Sequence, residues 1–213
     1  MLRSRYLVLL TTSALTAFAG YHANAQQIIL DGRTGTQLNA VDATTTSVTT
    51  STVSNGNAIN AFKRFGVDAG NTVNLIQPSG TNSLINIVTG GEVSNISGVL
   101  NAYQDGRIGG NAVIANTNGI VISRDGVVNA GRLTLTTPSQ AFTDSFFLGN
   151  GSVNPTALEA LANGSEDLNS IADISVHGRI DAEAVAIRAG RDIKVDGVIH
   201  SRFGSMSYAV DKP

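Results

Sequence analysis

Two near-copies stand nineteen residues apart towards the end of this 213-residue chain: Ile174-Ser-Val176-His-Gly178-Arg-Ile180-Asp181 and Ile193-Lys-Val195-Asp-Gly197-Val-Ile199-His200. In both, apolar residues fall at every second position and a glycine holds the same offset. A short alternating strand, a glycine corner and a second strand, repeated on a period near twenty, is the pattern of one coil of a parallel β-helix. Such a unit cannot bury its inner face alone and needs stacked neighbours, so the repeat constrains the chain to an elongated solenoid. The phrase occurs twice more, as Gly98-Val-Leu100-Asn101-Ala102 and Gly126-Val-Val128-Asn129-Ala130. The glycine is expected to corner at positive φ, and the next apolar side chain to point inward. By the alternation, Ile174, Val176, Ile180, Ile193, Val195 and Ile199 face the core, with Val185 and Ile187 on a further wall. Asn101, Asn129, Asp181 and His200 face outward or sit at a corner.

Residues 1–25 read as a secretory signal peptide rather than part of the fold. Arg3 and Arg5 make a positive start, Tyr6 to Ala19 is predominantly apolar, and Ala23-Asn24-Ala25 is a small-x-small cleavage site, so cleavage is expected between Ala25 and Gln26. The apolar run is too short and too interrupted by Thr and Ser for a membrane-spanning helix. Residues 26–213 then form one domain. Its charge is near balance, 14 Lys+Arg against 16 Asp+Glu, with no basic block, which argues against a nucleic-acid or anionic-membrane partner. Charged residues make up only 14% of the chain, so its polar surface must come from Asn, Ser, Thr and Gly, the composition of many-stranded secreted β proteins. The chain has no cysteine although an exported protein could use disulfides. A chain that must stay threadable after leaving the cytoplasm gains from that absence.

Residues 26–60 contain β-prone, weakly charged segments and are assigned to a cap and the first strands, coils become visible over 84–137, and regular coils return over 174–213. Between Pro138 and Asp173 the repeat disappears. There Asn154-Pro155-Thr-Ala-Leu158-Glu-Ala-Leu161-Ala-Asn163-Gly164 reads as a short helix, with Asn154 as N-cap, Pro155 at the first position and Asn163-Gly164 as the stop. Phe142, Phe146, Phe147 and Leu148 need a surface to cover, so 138–173 is expected to be an excursion packed on the side of the solenoid.

Chemistry-bearing patterns are sparse. There is no thiol and no G-x-x-x-x-G-K phosphate loop. His177 and His200 are the histidines outside the signal segment, and His200 aligns with Asp181 one coil earlier, close enough to pair, but a metal site needs three or four convergent ligands. Asp173, Asp181, Glu183, Asp192 and Asp196 scatter around the coil instead of forming the facing carboxylate pair of a glycoside hydrolase. No catalytic residue, cofactor or metal site is expected.

The most specific run is Asn111-Ala-Val113-Ile114-Ala115-Asn116-Thr117-Asn118-Gly119-Ile120, a strand entering an Asn-x-Asn-Gly corner. Here the chain resembles the N-terminal secretion domain of two-partner-secreted exoproteins, the filamentous haemagglutinin family. Asn116, Asn118, Gly119 and Ile120 match its "NPNGI" motif, with Thr117 in place of the proline. Phe62-Lys-Arg-Phe65-Gly-Val67 resembles its "F-x-x-F-x-V" segment, and Leu84-Ile-Asn86-Ile-Val88-Thr89-Gly90 its "L-N-x-V-T" segment; no counterpart of its second motif, "NPNL", is placed. The resemblance covers residues 30–137 closely and the later coils generically.

The resemblance implies an all-β, right-handed parallel β-helix with an N-terminal β cap, the hand agreeing with the rule for parallel crossovers. It implies a non-enzymatic secretion and targeting role at the front of a longer exoprotein, an adhesin or haemagglutinin. The implied partners are the Sec machinery and an outer-membrane β-barrel transporter of the TpsB type with POTRA domains. The localisation implied is secreted or cell-surface in a Gram-negative bacterium, by way of the periplasm. Asn116 to Ile120 is the segment assigned to partner recognition, and host-cell or carbohydrate receptors would be met by regions beyond Pro213. The alternatives are a stand-alone surface-binding solenoid adhesin and a carbohydrate-active β-helix enzyme.

Overall fold

The computed structural model describes residues 27–169 and 171–210. The signal segment, its expected cleavage point at Ala25 and Gln26, and residues 211–213 lie outside the described residues. The strands run β1 (Ile29–Leu30), β2 (Thr36–Ala40), β3 (Thr45–Thr50), β4 (Val53–Ser54), β5 (Asn57–Arg64), β6 (Thr72–Gln77) and β7 (Ser83–Val88). The middle of the chain adds β8 (Ser94–Ile96), β9 (Val99–Gln104), β10 (Arg107–Ile108), β11 (Asn111–Asn116), β12 (Ile120–Ile122), β13 (Val127–Asn129) and β14 (Arg132–Thr136). Two helices follow, α1 (Gln140–Ser145) and α2 (Pro155–Asn163), and then β15 (Ile174–Val176), β16 (Arg179–Ala189), β17 (Ile193–Val195) and β18 (Val198–Val210).

These strands lie in three parallel stacks. The first holds β5, β7, β11, β14 and the later halves of β16 and β18, in a register that aligns Ala58, Leu84, Ala112, Leu133, Val185 and Met206. The second holds β3, β6, β9, β13 and the earlier halves of β16 and β18, aligning Thr46, Val73, Leu100, Val128, Ile180 and Ile199. The third holds β8, β12, β15 and β17, aligning Ile96, Ile122, Val176 and Val195. The expected fold class therefore holds at the level of an all-β chain with mostly parallel pairing. One course, a single pass through the stacks, leaves its backbone groups to be satisfied by the courses on either side. Antiparallel strands close the N-terminal end, β2 on β3 and β1 on β5. Parallel stacking begins with β3 and β5, well before residue 84, where Thr46 and Asn60 interrupt the apolar alternation that reveals the later repeats.

The glycines of the repeated phrase do not act by positive φ. Gly98, Gly126, Gly178 and Gly197 are absent from the left-handed positions among the described residues. Their constraint is space. A Cβ would stand 2.3 Å from the Asn71 carbonyl oxygen at Gly98, 2.1 Å from that of Ile96 at Gly126, 2.3 Å from that of Gly126 at Gly178 and 2.1 Å from that of Gly178 at Gly197. Each corner rests directly on the backbone of the course before it, and any side chain would wedge the two apart.

Alternation along the strands sends two sets of apolar side chains to two cores. The inner set includes Phe62, Leu84, Leu100, Ile114, Ile120, Ile174 and Ile187, all enclosed by the stacks. The outer set, Ile59, Ile85, Ile87 and Val113 on the far face of the first stack, is covered by Phe146, Phe147, Leu158 and Leu161. Burial of each such Leu, Ile or Phe contributes about 1.5–3 kcal/mol. The covering helices start where short polar side chains cap them: Ser139 accepts from the Phe142 amide, and Asn154 accepts from those of Thr156 and Ala157 ahead of Pro155. Gly164, at φ +69°, ends α2. Leu148 stays exposed, and α1 has no counterpart in the sequence reading because six residues with four polar side chains carry too little periodicity. The last layer also departs from expectation: Val195 is 40% exposed, and Ile193 and Ile199 are only partly buried. Among the described residues no strand lies over β17 and β18 to complete their burial.

The contact at the corners sets a stability prediction. Gly126→Ala should lower the unfolding free energy by about 2–4 kcal/mol, the range of core overpacking and backbone displacement. Gly91→Ala, where a Cβ meets nothing within 4 Å, should change it by less than about 0.5 kcal/mol. Urea unfolding of both variants checks this, and equal midpoints would refute the steric account.

Candidate functional site

The Asn116–Ile120 segment joins β11 to β12 and is almost wholly interior. Asn116 is 0%, Thr117 3% and Ile120 1% exposed, and Asn118 is half-buried. Gly119 has φ +109°, a region L side chains rarely adopt, and a Cβ there would lie 2.9 Å from the Asp173 carbonyl oxygen. The Asn116 carboxamide oxygen accepts from the Asn118 amide at 2.9 Å, an Asx turn that fixes the bend from within.

Both carboxamides then reach back one course. Asn116 Nδ2 donates to the Glu92 carbonyl and to Ser94 Oγ, each at 2.9 Å, and Asn118 Nδ2 donates to the Gly90 carbonyl at 2.7 Å. The same corner also grips residues that come later in the chain. The Thr117 carbonyl accepts from Asn169 Nδ2 at 2.8 Å, and the Ile120 amide donates to the Asp173 carbonyl at 3.2 Å. Thr117, which replaces the motif's proline, shares a hydroxyl–hydroxyl hydrogen bond of 2.7 Å with Thr143 in α1. A proline could not make it.

The three segments that carry the family resemblance meet here. Phe62, Val88 and Asn116 share one column of the first stack. The Thr89 amide donates to the Phe62 carbonyl, and Gly90 has no room for a Cβ against the Lys63 carbonyl. Phe62 and Phe65 pack with ring centroids 4.9 Å apart, and Val67 bridges in parallel to Ile96. Segments that read as separate motifs are successive levels of a single corner.

Three supports were given no role from the sequence, although Asn86 falls in the segment Leu84-Ile-Asn86-Ile-Val88-Thr89-Gly90. Asn60 and Asn86, both fully buried at inward positions, are linked by Asn60 Nδ2 donating to Asn86 Oδ1 at 3.0 Å, while Thr36 Oγ1 donates to Asn60 Oδ1 at 2.9 Å. The alternation Ala58-x-Asn60-x-Phe62 and Leu84-x-Asn86-x-Val88 is the signal that exposes them. Glu166, buried at the end of the excursion, accepts from Thr136 and pairs with Arg188 of β16, Nε to Oε1 at 3.2 Å. At the N-terminal end, Arg33 lies over the Phe147 ring at 4.2 Å and donates to both carboxylate oxygens of Asp31, of which Oδ2 also accepts from Thr89. The Arg33 hydrogen bonds hold the Asp31 carboxyl below its usual value despite burial.

The remaining residues of interest form surface pairs. His200 Nδ1 lies 3.1 Å from Asp181 Oδ1, as their alignment suggests, and Arg179 shares the same carboxylate, holding it low. His177 pairs with Asp196, and Asp173 with Arg191. Among the described residues no group of three or more His, Cys, Asp or Glu side chains converges.

A stack of mostly parallel strands with an internal amide-clamped corner defines a structural module. The family model for the TPS secretion domain matches residues 26–201, and the chain belongs to this two-partner secretion family. Its members are the non-catalytic secretion domains of exoproteins from Gram-negative bacteria, exported with the help of a dedicated TpsB transporter. Among curated proteins, none matches the chain.

Two measurements test these assignments. Asn116→Ala leaves the Glu92 carbonyl and Ser94 without their buried donor and should cost about 2–3 kcal/mol, with Asn118→Ala costing about 1 kcal/mol at its wetter position; equal losses in urea unfolding would contradict the geometry. Because the folded Asp31 carboxyl lies below its ordinary value of 3.8, its contribution is present above that pH and disappears as pH falls through the lower folded value. Amide exchange in β1 should therefore accelerate as pH drops below 3.8 once the intrinsic rate is corrected, and Asp31→Asn should flatten that added dependence.

Proposed function

We propose that this chain is the front-end domain of an adhesin-like exoprotein, delivered to the periplasm by the Sec machinery with cleavage between Ala25 and Gln26. An outer-membrane β-barrel transporter bearing POTRA domains then recognises it and passes it to the cell surface. On this reading the stacks wind as a right-handed parallel β-helix. The transporter meets the Asn116–Ile120 segment while the chain is still extended, and outside the cell the same residues close the corner and oppose backsliding.

The observation that carries this reading is the burial of the segment. With Asn116 at 0% and Thr117 at 3% exposure, a partner can contact these side chains only before the chain folds. The composition supports the same order of events, because a cysteine-free chain cannot be locked by a disulfide before it is threaded. Main-chain pairing to a POTRA sheet edge is available to an extended, β-prone chain and needs no folded epitope.

Replacing Asn116 and Asn118 together with Ala should reduce outer-membrane export by about tenfold or more when the cognate transporter is co-expressed, a change corresponding to about 1.4 kcal/mol or more of lost coupling. Binding of the urea-unfolded chain to isolated POTRA domains separates recognition from folding. Recognition predicts weakened binding by the variant before any folding occurs. Unchanged binding and unchanged export would remove the role assigned to the segment.

A further inference from the structure

The early strands of the first stack lack the signal that ordinarily fixes register. An alternating strand is held in place because a slip of one residue turns its apolar side chains to water. β5, β7 and β11 are instead covered on both faces, with Ala58, Leu84 and Ala112 turned to the inner core and Ile59, Ile85 and Val113 to the outer one. A slipped strand would still present apolar side chains to both cores. The turn into β7 does not supply the close fit of the later corners either, since a Cβ on Gly80 would meet nothing within 4 Å.

A line of polar side chains crosses the inner core at this point. The Thr34 hydroxyl accepts from the Ala61 amide at 3.1 Å and lies 2.7 Å from the hydroxyl of Thr36. Thr36 Oγ1 donates to Asn60 Oδ1 at 2.9 Å, and Asn60 Nδ2 donates to Asn86 Oδ1 at 3.0 Å. Asn86 Nδ2 in turn donates to the carbonyls of Leu84 at 3.1 Å and Val113 at 3.2 Å. The donors therefore run one way, from the N-terminal cap through β5 and β7 to β11. Asn60 and Asn86 are both 0% exposed, and both carboxamides are fully satisfied. They sit between two apolar columns, Ala58 with Leu84 on one side and Phe62 with Val88 on the other.

This pairing exists in one register only. A shift of two residues sets Asn60 beside Leu84 or Val88, and Asn86 beside Phe62 or Ala58. A shift of one sets Asn86 beside Ala61 or Ile59, whose side chains belong to the outer core. Each carboxamide left buried without its partner costs about fivefold to a hundredfold in the folding equilibrium. We infer that Asn60 and Asn86 are a register key: their hydrogen bond selects the pairing of β5 with β7, and through the Val113 carbonyl that of β7 with β11. The key supplies alignment more than net stability. Apolar residues of similar volume would hold the strands as firmly but would not distinguish one alignment from the next. The inference is independent of the secretion reading.

Replacing both residues, Asn60→Leu with Asn86→Leu, keeps side-chain volume nearly constant and removes the key. The double variant should fold with the circular dichroism of the parent and an unfolding constant within about tenfold of it. Its β5 and β7 amides should nevertheless give more than one set of NMR resonances. Asn60→Leu alone strands the Asn86 oxygen and should raise the unfolding constant by at least about tenfold, more than the double change does. A cysteine pair, Asn57→Cys with Ser83→Cys, reads the register directly, because these positions are aligned and the chain has no other thiol. Brief oxidation should link nearly all folded molecules that keep the key, and leave at least about half unlinked when both asparagines are Leu. A single resonance set with complete cross-linking in the double variant would assign the register to the backbone fit of Gly90 on Lys63 and overturn the proposal. A double variant that fails to fold also overturns it, since the pair would then carry stability in place of alignment. So does a single variant as stable as the double.

Discussion

Backbone contact between consecutive courses is the constraint on which the rest of this molecule depends. A course has no internal partner for most of its N–H and C=O groups, so it persists only where the next course lies at hydrogen-bonding distance along its whole length. At the corners that distance leaves no volume for a side chain. Gly98, Gly126, Gly178 and Gly197 are therefore repeated as absences of a Cβ, each over a carbonyl of the preceding level. The aliphatic columns between them fall into register because the corners do.

Residues with a single environment were legible in the sequence, and residues whose environment depends on another course were not. Ile174, Val176 and Ile180 read as core from alternation alone, and the Asn154–Gly164 helix read from its own caps. The glycine phrase was visible, but its cause was not, since a positive φ and a close approach select the same residue. Val195 obeys the alternation and still stays exposed, because burial in a stack requires a neighbour on both sides. Asn60 and Asn86 show the converse. As single residues they look like turn or surface positions, and only the stacking of β5 on β7 turns them into a buried hydrogen-bonded pair. The candidate corner was found as a string of five residues, yet its clamps at Gly90, Glu92, Thr143 and Asn169 are long-range and leave no local trace.

The excursion links these long-range supports. Its helices give the outer face of the first stack a second core, Thr143 and Asn169 fasten it to the corner, and Glu166 fastens it to Arg188. Arg33 extends the chain of contacts to the N-terminal end through Phe147. Cap, corner, excursion and later courses thus form one mechanically continuous body although they are distant in sequence.

The Thr117 carbonyl and Asn169, 52 residues apart, impose a schedule on folding. Closing so long a loop costs entropy that nearby hydrogen bonds within β11 and β12 do not repay, so the corner cannot mature when its own five residues become available. For a chain that becomes free to fold from its N-terminus, β1 to β14 can pair while this joint stays unfinished. The arrival of Asn169 and Asp173 then supplies the missing donor and acceptor together. The corner is thus complete only once residues more than fifty positions further along the chain have taken their places.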